Sequence, residues 1–148
     1  MSQQDAILIG IDPDVDKSGV AIKTPSGMDM KTLNFFALFD YLRSVKKYAN
    51  EARLELCVFV ECGYLNKGNR HKVLGGSLSL NSKIGEHIGQ NHQVAKKILE
   101  MCEYLGLNYQ EVRPTKTKLD SNQFNEKTGY KKRTNQEQRD AMMLIWEK

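Results

Sequence analysis

The stretch Ile7 to Thr24, ILIGIDPDVDKSGVAIKT, limits what this chain can fold into more than any other. Ile7, Leu8, Ile9, Gly10 and Ile11 form a short apolar run suited to a strand buried on both faces, and the run stops at Asp12. A carboxylate is thus expected where a core strand meets solvent. After the Pro13 to Lys17 connection, Ser18, Gly19, Val20, Ala21 and Ile22 resume a strand of small residues that can return antiparallel beside the first. Asp12-Pro13-Asp14 also suits an ordinary turn, since Asp caps its own backbone and Pro fixes the next φ, and the sequence alone leaves both readings open. A calcium loop on Asp12, Asp14 and Asp16 is excluded: the sixth position is Lys17 rather than glycine, and the twelfth is Lys23 rather than glutamate.

Thr24-Pro25-Ser26-Gly27 fits a turn, and Met28 to Leu33 a third strand closing a meander. From Asn34 to Tyr48 the pattern becomes helical, with Phe35, Leu38, Phe39, Leu42 and Val45 recurring at three and four. Leu54 to Val60 is a second continuous apolar run, and it too ends in an acid, Glu61. If the two runs lie side by side and parallel, joined by the helix, Asp12 and Glu61 emerge together at one sheet edge, where open α/β sheets place their sites. The competing reading is that Glu61 merely leaves the core for water.

Cys62 to Ser82 has no sustained period and reads as a long loop, in which Tyr64, Lys67, Arg70 and Lys72 could stack on or neutralise a nucleic-acid strand. Ile84 to Leu105 is the longest helical pattern, with Ile84, Ile88, Ala95, Ile98, Cys102 and Leu105 in one stripe and Gly85 and Gly89 four apart. His71, His87 and His92 share no metal spacing and read as surface or polar-network residues. Gly106 supplies a C-cap, and Leu107 to Val112 a fifth strand ended by Arg113-Pro114.

The last helix begins near Thr134 and carries Ala141, Met142, Leu144, Ile145 and Trp146 into the core. Glu137 and Asp140, three apart, project from one face near its start. Thr134-Asn135-Gln136-Glu137 is also a capping box, which would make Glu137 a cap.

Four carboxylates, Asp12, Glu61, Glu137 and Asp140, therefore come from two strand ends and one helix face. Acids packed together repel, so such a cluster needs protons or cations. Mg²⁺ suits hard oxygen ligands, and two such ions can clamp the attacking and leaving oxygens of a phosphodiester. The balance of charge agrees with a polyanionic substrate. Net charge is +4, yet between Arg113 and Arg133 seven basic residues (Arg113, Lys116, Lys118, Lys127, Lys131, Lys132, Arg133) stand against two acidic ones, Asp120 and Glu126. A solvated basic loop is the competing reading.

The 148 residues are expected to form a single domain, and no apolar run approaches a membrane span. The N-terminal MSQQD shows no signal peptide, so a cytoplasmic protein is expected. Cys57, Cys62 and Cys102 form no CxxC pair, which argues against a zinc site and a disulfide framework.

The order strand, strand, strand, helix, strand, helix, strand, helix resembles the ribonuclease H fold, and the motifs resemble the RuvC-type Holliday junction resolvases. The residues that carry the likeness are Ile9-Gly10-Ile11-Asp12-Pro13, Val60-Glu61, Gly85 with Gly89, Pro114 with Lys118, and Glu137 with Asp140-Ala141. The resemblance implies a five-stranded mixed α/β sheet, its first three strands antiparallel, flanked by helices. It further implies Asp12, Glu61, Glu137 and Asp140 as catalytic metal ligands for two Mg²⁺, with Mn²⁺ able to substitute. Lys116 and Lys118 would touch phosphates near the scissile bond; the basic run itself is what suggests Arg113, Lys131, Lys132 and Arg133 as further nucleic-acid contacts. A homodimer, paired through the second long helix, would cut four-way DNA junctions. Asp14 departs from the family's usual glycine, and the 62–82 and 120–130 regions do not align by eye. The alternatives are a YqgF-like nuclease acting on structured RNA and a non-catalytic nucleic-acid-binding protein of the same fold.

Overall fold

A computed structural model describes residues 5–66, 78–115 and 117–148. Its elements are strands β1 (Ala6–Asp12), β2 (Ser18–Thr24) and β3 (Gly27–Leu33), helix α1 (Phe35–Ala52), strand β4 (Glu55–Glu61), helix α2 (Leu78–Tyr104), strand β5 (Asn108–Val112), and helices α3 (Ser121–Thr128) and α4 (Gln136–Met143). They build one five-stranded sheet in the order β3-β2-β1-β4-β5. β1 to β3 form the antiparallel meander, while β4 runs parallel to β1 and to β5.

The apolar runs of β1 and β4 are continuous because both strands are central and covered on both faces. On one face Ile7, Ile9, Ile11, Leu56, Val58 and Val60 pack against Leu38, Leu42 and Val45 of α1 and Ala95, Ile98 and Cys102 of α2. On the other, Ala21, Met30 and Phe59 meet Phe124 of α3 and Ala141, Met142 and Ile145 of α4 and its extension. Each large side chain removed from water here contributes on the order of 1.5–3 kcal/mol.

Two glycines set how closely α4 approaches. A Cβ on Gly10 would overlap the Ala141 carbonyl, and one on Gly19 would overlap the Glu137 carbonyl. The helix backbone therefore rests directly on β1 and β2, and its first turns reach the sheet edge.

Several local expectations need correcting. Phe35 lies at the exposed start of α1, 39% accessible, rather than in the core stripe. The second long helix starts at Leu78, inside the stretch read as loop, and Gly63–Leu65 forms a turn of 3₁₀ helix. Helix α3 was not expected at all. It is held at both ends, by an Asp120/Gln123 capping box and by Gly129 at φ +75°, and buries Phe124. Gly106, at φ +69°, does end α2, with Leu107 N donating to Cys102 O at 2.9 Å. Gly89 meets nothing within 4 Å where its Cβ would be, so no close approach inside the described fold requires it.

Candidate active site at the sheet edge

The parallel register pairs Ile11 with Val60, so Asp12 and Glu61, each the next residue in its strand, leave the sheet together. Helix α4 adds Glu137 and Asp140 from across the edge. All four line one cavity of about 450 Å³, together with Asp14, Lys118, Gln136, Asn91 and His92.

The Asp-Pro-Asp turn divides its labour. Asp14 Oδ2 accepts from Asp16 N at 3.1 Å and Lys17 N at 3.4 Å, so Asp14 organises the turn, whose Val15 N is tied to Asn91 of α2 at 3.1 Å. The turn reading belongs to Asp14, and Asp12 is left to the cavity.

The capping question at α4 also resolves. The cap is Asn135, whose Oδ1 accepts from Gln138 N at 2.8 Å while Gln138 Oε1 accepts from Asn135 N at 3.2 Å. The box expected on Thr134 and Glu137 lies one residue later, and Glu137 is not spent on it.

The electrostatics are those of crowded acids. Asp12 is pushed up to about 8, by burial first and then by the Glu61 and Asp140 charges, with Lys118 opposing. Glu61 is raised by burial and by Asp140, and Glu137 by burial, Asp14 and Asp140. Lys118 is the counter-charge: its Nζ lies 3.2 Å from Asp140 Oδ2. Burial pulls Lys118 down, but Asp140, Asp12 and Glu61 together raise it.

The donor set is all oxygen, which fits Mg²⁺ or Mn²⁺. Among the described residues, no three histidines, cysteines or acids are drawn into a closed coordination group. The acids instead stand around the cavity with, among the described residues, the Lys118 ammonium between them, as mutually repelling carboxylates must.

A second cavity of about 460 Å³ shares Glu61, Lys118 and Asp140 and continues past Pro114, Thr115 and Thr117 to Lys148. Arg113, Lys131, Lys132 and Arg133 are exposed. Lys67, Arg70, Lys72 and Lys116 lie outside the described residues. Tyr64 is half-buried beside α2, its ring edge-on to His92 at 6.1 Å with Lys96 Nζ 5.4 Å from its centroid.

Of the other lining residues, His92 and Asn91 had no signal of their own in spacing or composition. Gln136 could have been noticed, four residues before Asp140 on a helix. Among the described residues, no helix is long and apolar enough to cross a membrane.

No protein-family model matches the chain, and no curated protein matches its sequence. Among solved structures it is similar to T. thermophilus RuvC in complex with Holliday junction substrate, at 15% identity over 94% of this chain and 89% of that one, with a TM-score of 0.50. At that identity the likeness is one of architecture, and it extends over nearly the whole of both chains. The protein thus has a ribonuclease H-like fold, with the mixed sheet and flanking helices of that RuvC.

Proposed function

We propose that the protein is a divalent-metal-dependent endonuclease that hydrolyses phosphodiesters in branched DNA, with four-way junctions as its substrate. The observation that carries this reading is the convergence of Asp12, Glu61, Glu137 and Asp140 on one cavity at the sheet edge, where Lys118 is the one cation lining it among the described residues. The Asp12 carboxyl is pushed up to about 8 by burial first and then by the charges of Glu61 and Asp140, a repulsion that a bound cation would relieve. Function that needs a cation is a sufficient reason to hold acids in so unfavourable an arrangement.

Asp12, Glu61, Glu137 and Asp140 would hold two Mg²⁺ ions. When bound, the ions supply Lewis-acid stabilisation of the charge that builds on the phosphate and lower the pKa of attacking water. The chain's own residues do the rest. Asp12, ionised once cation charge offsets its neighbours, is central because it faces both Glu61 and α4. Lys118, whose Nζ lies 3.2 Å from Asp140 Oδ2 and whose side chain is largely exposed, would be free to pair with a substrate phosphate oxygen once cation charge balanced Asp140. Water forms the new P–O bond, one bridging P–O bond of the diester breaks, and the leaving oxygen takes up a proton while the water oxygen gives one up. No covalent enzyme intermediate is formed.

Arg113, Lys118, Lys131, Lys132 and Arg133 would carry the backbone-directed affinity, which positions the duplex without reading sequence. Lys67, Arg70, Lys72 and Lys116 extend the same proposal. Symmetric cutting of a four-way junction calls for two active sites, hence a homodimer. An exposed aromatic surface on the adjoining helices supports that pairing: Tyr104 at the end of α2 is 82% accessible and packs near Phe39 of α1, and Phe36 is 79% accessible.

The test is cleavage of labelled junction, flap and linear DNA and of structured RNA, with Mg²⁺ or Mn²⁺, beside Asp12→Asn. Cutting of RNA alone would transfer the activity to the YqgF-like reading. Binding without cutting under any divalent ion would leave a nucleic-acid-binding protein.

A further inference from the structure

Arg139 sits between two residues of the acidic cluster's helix yet bonds neither Glu137 nor Asp140. Its four side-chain hydrogen bonds among the described residues go to neutral oxygens: Nε to Leu119 O at 3.0 Å, Nη1 to Thr134 O and Oγ1 at 3.0 Å each, and Nη2 to Gln136 Oε1 at 3.2 Å. The last of these has a consequence for the site. An amide whose oxygen accepts from a guanidinium must turn its nitrogen the other way, and Gln136 Nε2 donates to Asp140 Oδ1 at 2.8 Å. The reverse amide orientation would set its N–H groups against the guanidinium and its oxygen against a carboxylate, so both contacts would repel.

We propose that Arg139 and Gln136 are positioning residues, a relay that fixes the orientation of the Asp140 carboxylate for cation binding. The two oxygens of Asp140 are then held from opposite sides, Oδ1 by Gln136 and Oδ2 by Lys118 at 3.2 Å. The relay also sets the Lys118 side, because Leu119 O accepts from both Arg139 and Gln136, the latter at 3.3 Å. One guanidinium thereby ties the approach to α4, the segment carrying Lys118 and the first turn of α4 into a single frame around one carboxylate.

A plain surface pair four residues apart is the alternative account of Gln136 and Asp140. The Asp140 side chain is only 12% accessible, which takes it out of that class. Groups that hydrogen-bond a metal-binding carboxylate orient it, and their loss typically costs 10–100-fold in metal affinity or activity.

The inference rests on the metal-dependent reading above, and the test keeps the two apart. Mn²⁺ is titrated into the DNA-free full chain and the free ion followed by electron paramagnetic resonance, for wild type, Arg139→Lys, Gln136→Leu and the double variant. Lysine keeps the charge but cannot make the fork; Gln136→Leu spares the Asn135/Gln138 cap, so it stays folded if Arg139→Lys does not. The expected result is about 10–100-fold weaker Mn²⁺ binding in each single variant, with the double no worse than the weaker single, since both break one chain. Wild-type affinity in the folded single variants, even with a lowered melting temperature, overturns the relay and leaves the metal reading standing. A wild-type chain that binds no Mn²⁺ overturns both.

Discussion

Gly19 lies directly beneath Glu137: the backbone of α4 occupies the space that any side chain at position 19 would need. Gly10 stands in the same relation to Ala141. Two absent side chains thus set the depth of the helix that carries two of the four acids.

Gly19→Ala and Gly10→Ala should accordingly act on stability and site together. Overpacking usually costs about 1–3 kcal/mol, and here the obstacle is backbone, which yields less than a side chain, so the upper end or beyond is expected. Urea unfolding of the two variants measures it. A loss below about 0.5 kcal/mol in both, typical of an unremarkable surface site, would contradict the packing described.

The Asp12 carboxyl gives a pH signature. It titrates near 8 in the folded protein against an ordinary 3.8, so the native state retains a proton that the unfolded chain has lost between those values. Its contribution to stability is present in full below about 4 and disappears as pH rises through about 8. Without divalent cation, the melting temperature of wild type should fall across that range, while Asp12→Asn should fall less and surpass wild type at pH 8. Added Mg²⁺ should close the gap at pH 8 by stabilising the protein that has the acid more than the variant that lacks it. Parallel melting curves for the two proteins from pH 5 to 8 would rule this out.

The cap of α4 separates two roles that its sequence confounds. Asn135→Ala should cost about 1 kcal/mol, because Asn135 accepts from Gln138 N. Glu137→Gln should change stability by no more than about 0.5 kcal/mol, while lowering the proposed cleavage. A larger stability loss from Glu137→Gln than from Asn135→Ala in thermal melts would return Glu137 to the role of cap.

Much of this architecture was legible in the residues, for reasons specific to each element. β1 and β4 read clearly because strands covered on both faces are apolar throughout, and their terminal acids broke an otherwise unbroken run. The parallel register that unites Asp12 with Glu61 then followed from the helix between them. α3 was not legible. SNQFNEKT buries Phe124 as its one large apolar side chain, so it has no periodic stripe, and its signal lay in Asp120, Gln123 and Gly129 at its ends. The cap of α4 was misplaced by one position because Thr134 and Asn135 are both good caps, each with Glu or Gln three residues on. Gln136 and Arg139 escaped because their roles depend on Leu119 and Thr134, which only the folded chain brings to them.

The exposed basic residues make a prediction about binding rather than chemistry. Replacing Lys131, Lys132 and Arg133 with alanine should weaken junction binding on every sequence alike. Each lost phosphate contact should flatten the dependence of log K on log salt by about 0.9. Fluorescence anisotropy at several salt concentrations reads this directly. An unchanged slope would remove these residues from the interface.

The most direct test of the central claim is cleavage of a labelled four-way DNA junction by the wild-type protein and Asp12→Asn, each with Mg²⁺ and with EDTA, scored with binding of the same junction. Paired nicks that require Mg²⁺, their loss in Asp12→Asn, and junction binding close to wild type in that variant are expected. Undiminished cutting by Asp12→Asn, or cutting in EDTA, would contradict it.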